Sequence, residues 1–179
     1  MKKRIGGLVP LLVVALSAVV LAADIKVTTI VADGRVFASF SAGGAYSADA
    51  RDAVKSGLPV SCVFTVELKR PSTLWVDRTL SSATLVSSVR FDTLTGTYQV
   101  SKQQDDKVIW SDRTDQEEQM QRWLTEFDRV ALVPQAPLES NAEYYVQVHV
   151  HVTPKRSFSL WSLWSRDDAI GRADFTFIR

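Results

Sequence analysis

Cysteine is nearly absent. Cys62 stands alone in 179 residues, so the chain cannot close an internal disulfide even in an oxidising compartment, and its stability must come from burial. Histidine is almost as scarce: His149 and His151 are the only two, which leaves any zinc site built on them one or two ligands short. Neither sign of charge dominates, with 21 Lys and Arg against 20 Asp and Glu. A nucleic-acid binder gathers a basic excess on one face, so nucleic acid is not an expected partner. The chain has no G-x-S-x-G elbow to expose a nucleophile. Ala42-Gly43-Gly44-Ala45 lacks the flanking strand and the lysine of a phosphate loop and reads as a plain loop. Internal repeats and low-complexity linkers are missing too.

What is present begins with a distinctive N-terminus. Met1-Lys2-Lys3-Arg4 is followed by an uncharged run from Ile5 to Ala23, with Leu11 to Leu21 as its strongly apolar part and small residues at Ala22-Ala23. Charge, apolar core and small residues in that order predict a secretion signal over residues 1–22, cleaved after Ala22 or Ala23. Gly6, Gly7 and Pro10 shorten the apolar stretch below a comfortable span; an uncleaved signal that anchors the chain in the inner membrane is the alternative. Removing residues 1–22 takes three basic residues and no acidic one, leaving 18 against 20, a charge of −2. The mature chain, residues 23–179, is long enough for one domain that buries roughly two-thirds of its unfolded surface.

The body of the chain reads as strands. Residues 25–31 and 35–40 flank Asp33-Gly34, the signature of a hairpin. Ser47 caps a short helix over Ala48 to Ser56, with Gly57 as its stop and Pro59 beyond. Strand patterns follow at 60–69, 73–80 and 83–92, then at 97–101 after Leu94-Thr95-Gly96 and at 108–110 after Asp105-Asp106. A helix is predicted over 115–128: Thr114 and Glu117 suggest a capping box, and Met120, Trp123, Leu124 and Phe127 recur at helical spacing. In 143–153, Tyr144, Val146, Val148, Val150 and Val152 face one way, and Tyr145, Gln147, His149, His151 and Thr153 the other. Phe175 to Ile178 ends the chain as a last strand. The expected fold is mainly β, a single antiparallel β-sandwich or curled sheet of about eight strands with two short helices packed on it. Its core should include Val146, Val148, Val150, Trp123 and Phe127.

Several landmarks occur in a fixed order: Ser56-Gly57-Leu58-Pro59, Trp75 with Asp77, Arg90-Phe91-Asp92-Thr93-Leu94-Thr95 followed by Tyr98, and Leu160-Trp161-Ser162-Leu163-Trp164. In this order they resemble a bacterial family of exported proteins, the domain of unknown function DUF4390. The resemblance implies an envelope location and a small β-rich domain, and it brings no reaction, ligand or active site with it.

Candidate chemistry is sparse. His149 and His151, two apart on a strand, put both imidazoles on one face and are the weak candidates for a metal. Asp105-Asp106, Glu117-Glu118 and Asp167-Asp168 are adjacent pairs, and adjacent residues on a strand or helix diverge, so none is a natural catalytic dyad. Cys62 alternates with Val60 and Phe64 and reads as an inert core thiol. Phe158, Trp161 and Trp164, with Lys155, Arg156 and Arg166 beside them, fit either core packing or a partner or membrane surface. The expected function is that of an exported, periplasmic accessory protein, a non-enzymatic module without a cofactor that binds an envelope or membrane protein and could touch the membrane peripherally. The alternatives are a carrier of a small apolar ligand or lipid, and a hydrolase or metalloprotein using His149 and His151.

Overall fold

The computed structural model describes residues 25–32, 35–72, 76–134, 138–153 and 169–178. Nine strands and two α-helices lie in these segments. In chain order they are β1 (Lys26–Ala32), β2 (Arg35–Ser41), α1 (Ala48–Lys55), β3 (Val60–Arg70), β4 (Arg78–Asp92), β5 (Thr97–Gln104), β6 (Lys107–Thr114), α2 (Glu117–Thr125), β7 (Glu126–Leu132), β8 (Ala142–Thr153) and β9 (Ala169–Phe177). All pairings are antiparallel, in a three-stranded sheet of order β1-β2-β7 and a six-stranded sheet of order β6-β5-β4-β3-β8-β9.

The two sheets face each other across an apolar core that follows from period-two patterning. On β3, Val60, Cys62, Phe64, Val66 and Leu68 are all buried, and Val146, Val148 and Val150 lie beside them on β8. The small sheet supplies Val36, Ala38, Phe40, Phe127, Val130 and Leu132 from above. Phe40, Phe64 and Phe127 meet at the centre with ring centroids 5.2 to 5.3 Å apart. Trp123 is half-buried at the margin of this core rather than inside it.

Helix α1 forms as expected. The Ser47 hydroxyl accepts the Ala50 N–H at 3.3 Å, and Gly57, at φ +81°, takes the left-handed conformation that ends the helix.

Three expectations are corrected. The patterns at 73–80 and 83–92 do not form two strands: β4 runs unbroken from Arg78 to Asp92, with residues 73–75 outside the described segments. A bulge explains the apparent break, because Leu68 pairs Ser81 while Lys69 pairs Thr79, leaving Leu80 as an extra residue that still points inward. The predicted helix over 115–128 is shorter, Glu117–Thr125, and passes directly into β7. Phe127 is therefore a strand residue paired with Phe40, and tertiary pairing overrides the helical spacing that ended on it. The capping box is also absent. The Thr114 hydroxyl accepts the Gln116 N–H and donates to Gln119 Oε1, both at 3.1 Å, while Glu117 turns to Arg51 and Lys55 of α1 at 2.7 and 3.1 Å. Lastly, the final strand is longer than Phe175 to Ile178. It starts at Ala169 and pairs with β8 as far as Ala142↔Phe177, leaving Ile178 beyond the strand.

Candidate functional site

Phe158, Trp161, Trp164 and Arg166, with Lys155 and Arg156, lie outside the described residues. His149 and His151 are half-buried on the outer face of the six-stranded sheet. Thr65 and Ile170 flank His149, and Val63 pairs with His151. On the same face Glu67 lies opposite Gln147 and is ion-paired with Lys69 at 2.8 Å, and Lys69 also donates to Gln147 Oε1 at 3.4 Å. Among the described residues no group of three or more His, Cys, Asp or Glu side chains is placed to hold a metal ion. Cys62 is fully buried, and burial pushes its thiol up to about 12.

Of the landmarks that carry the family resemblance, Trp75 and Leu160-Trp161-Ser162-Leu163-Trp164 lie outside the described residues, while Asp77 and the stretch from Arg90 to Tyr98 hold local structure together. At the β4–β5 turn the Asp92 carboxylate accepts the Leu94 and Thr95 N–H groups at 2.9 and 3.4 Å. The Leu94 N–H most of all, then the Thr95 side chain and, less, the Thr95 N–H hold its carboxyl below the usual carboxylate range. Phe91 and Tyr98 close the turn with ring centroids 4.7 Å apart. Asp77 accepts the Tyr145 hydroxyl at 2.6 Å and the Ser72 N–H at 2.9 Å, tying the approach to β4 onto β8.

Two features were missed by sequence reading. The first is β6. It is an edge strand, paired with β5 on one side, and among the described residues no strand pairs with its other side. Six of its eight residues are exposed, including Val108 at 65% and Ile109 at 53%. At the opposite end of the sheet, the edge strand β9 lies against β1, where Ile25 packs on Gly171.

The second feature is a groove of about 570 Å³ where the end of α2 meets the small sheet, floored by Phe40, Phe127 and Trp123 and lined by Lys26, Lys102 and Arg122. Lys102 occupies an inward-facing position of β5, in phase with Tyr98 and Val100. Its ammonium donates to the Glu126 carbonyl at 2.6 Å and lies 4.6 Å from the Phe127 ring centroid and 5.5 Å from that of Trp110. Trp110 in turn meets Trp123 edge-on at 4.9 Å. The alternation Tyr98, Val100, Lys102 was the available signal, a charge on a face otherwise apolar.

No helix among the described residues is long and apolar enough to cross a membrane. No curated protein and no solved structure matches the chain. A family model does match, over residues 22–157, and it is the model described as a domain of unknown function, DUF4390. By that match, which takes in the turn of Asp92, the clasp of Asp77 and the edge strand β6, the chain belongs to the DUF4390 family.

Proposed function

We propose that the protein is a non-enzymatic, exported module that binds an envelope protein by accepting an extended segment of it alongside β6. The observation that supports this reading is the asymmetry of the six-stranded sheet, which among the described residues is covered along β9 and open along β6. An open edge offers unpaired N–H and C=O groups, and neighbouring apolar side chains give an added strand something to bury. Val108 and Ile109 supply that apolar surface. Edges that must stay unpaired are guarded by charges and bulges. Here Lys107 and a bulge between Lys102 and Gln103 interrupt the start of β6, and Asp112 and Arg113 add charge of both signs farther along, where the stretch from Trp110 to Thr114 pairs with β5 in unbroken register.

Proline scanning with crosslinking tests the reading. Ser111→Pro and Asp112→Pro address both phases of the strand, so one removes an outward N–H and the other an inward one. A photoreactive residue at position 109, in the full chain in its native envelope, should crosslink a discrete partner. That crosslink should vanish in the proline variant that still folds. Equal crosslinking in both folded proline variants sinks strand addition. The reading of Trp161 and Trp164 as a partner or membrane surface, the alternative to core packing, joins this proposal. Its test is Trp161→Ala with Trp164→Ala, which should leave the thermal midpoint in place and abolish capture.

A further inference from the structure

Lys102 is a charged group without a charged partner. A lysine on the core-facing side of a sheet is normally held by a carboxylate, since an ammonium taken out of water needs compensation. The Lys102 ammonium has the Glu126 carbonyl and two aromatic faces, with no carboxylate oxygen in ion-pair distance among the described residues. That carbonyl uses one of its three N–H donors. Desolvation pulls Lys102 down from the ordinary lysine value, and the more distant charge of Glu126 opposes this.

The groove beside it has the volume of a small-molecule site, within the range of about 300–1,000 Å³. Three cations, Lys26, Lys102 and Arg122, line it against two acids, Glu126 and Asp128. Asp128 is already engaged, accepting the Ser39 hydroxyl at 2.6 Å. The groove therefore combines a net positive charge, an ammonium with donors to spare, and an apolar floor.

We propose that this groove binds an amphipathic monoanion, a single carboxylate on an apolar chain or ring, with the carboxylate on Lys102 and the apolar body along Phe127 and Trp123. Such a ligand supplies the missing counter-charge where the local dielectric makes it most effective. Its apolar portion covers the exposed part of Trp123, over the buried ring of Phe127. Lys26 and Arg122, on the rim, add attraction without contact. The site is separate from the outward edge of β6, so the two proposals stand or fall independently.

Titration calorimetry of the purified protein tests it, with decanoate, decanol and decyltrimethylammonium as probes, each below its micelle concentration. Decanoate should bind one to one. Decanol should bind about tenfold more weakly and the cation not measurably, the scale set by loss of a charge-assisted hydrogen bond. Lys102→Met, which keeps the apolar stem, should weaken decanoate about tenfold, and Lys102→Arg should restore most of the affinity. Should Lys102→Met fail to fold, the Cε–Hε resonances of the wild-type protein carrying carbon-13 lysine read the same point: one lysine signal should shift with decanoate and far less with decanol. Decanoate that fails to saturate, binds Lys102→Met as tightly as wild type, or leaves every lysine resonance unmoved overturns the proposal.

Discussion

The Tyr145 hydroxyl donates to Asp77 Oδ2 across 2.6 Å, joining β8 to the residues that lead into β4. The guanidinium of Arg172 stacks 3.7 Å above the same tyrosine ring and pairs with Asp174. Tyr145 points to the outer face of the sheet, yet it is almost entirely buried.

This pair predicts the acid and base limbs of stability. The Tyr145 bond, followed by the Ser72 N–H, holds the Asp77 carboxyl below its ordinary value. A carboxyl lowered in the folded state stabilises above its unfolded pKa, about 3.9, and that contribution is lost as pH falls through the folded value. Tyr145 is pushed up to about 12, by burial first and then by Asp77. Its contribution is present below its unfolded pKa of about 10 and is lost as pH rises through the folded value. Tyr145→Phe should lower the thermal midpoint at pH 7 by about 3 °C. It should also flatten the fall in midpoint below pH 4, followed by circular dichroism across a pH series. An acid limb identical to wild type would mean that Asp77 is not titrating through this bond.

Cys62 should be unreactive until the protein unfolds. The thiolate is the nucleophile, and a buried thiol pushed up to about 12 offers almost none at pH 8. Labelling by a chromogenic disulfide reagent should follow the denaturant unfolding curve. A burst of labelling in native buffer would place Cys62 outside the core.

Gly171 should not tolerate a methyl group. A Cβ there would stand 2.6 Å from Ile25 Cγ2 and 2.8 Å from the Ile25 carbonyl oxygen, and the backbone oxygen has no rotamer to escape through. Gly171→Ala should cost about 1–3 kcal/mol, the usual range for overpacking. Adding Ile25→Ala should recover only part of it. Full recovery in the double variant, measured by urea unfolding, would show that the side chain and not the carbonyl sets the limit.

Asp106→Gly should stabilise the protein. Asp105 and Asp106 both have positive φ, 47° and 65°, as a two-residue hairpin turn requires, and Asp-Gly is the preferred pair there. Asp105 must stay, because its carboxylate accepts the Thr84 N–H at 3.1 Å. The expected gain is about 0.5–1 kcal/mol by chemical denaturation; a loss would mean that the Asp106 side chain holds the turn.

Alternation made β3 and β8 legible, because each is flanked on both sides and carries an unbroken apolar face from Val60 to Leu68 and from Tyr144 to Val150. It misled at β4, where the bulge at Leu80 shifts the phase by one residue. It gave no signal for most of β9, since Ala169, Gly171 and Ala173 are small and are held by pairing and close approach rather than by propensity. The candidate sites were harder still. That β6 is an edge depends on sheet order, which no local pattern encodes. Lys102 could be seen on an apolar face, but its counterpart, the Glu126 carbonyl, is a backbone atom that only the placement of β7 brings within reach.

The three-stranded sheet also fixes an order of events during synthesis. Strands β1 and β2 form their hairpin from adjacent sequence, but β2 completes its pairing only with β7, and Ser39 reaches its partner Asp128 across 89 residues. Until that later stretch has emerged, the Phe40 face of the hairpin lacks Phe127 to close against, although Phe64 of β3 is already made. A lone two-stranded hairpin is marginal in water, and contacts of such long range form slowly. The β1–β2 hairpin is thus made before the other described elements and is among the last secured, and in that interval it is most exposed to aggregation and to whatever chaperone guards the unfinished protein.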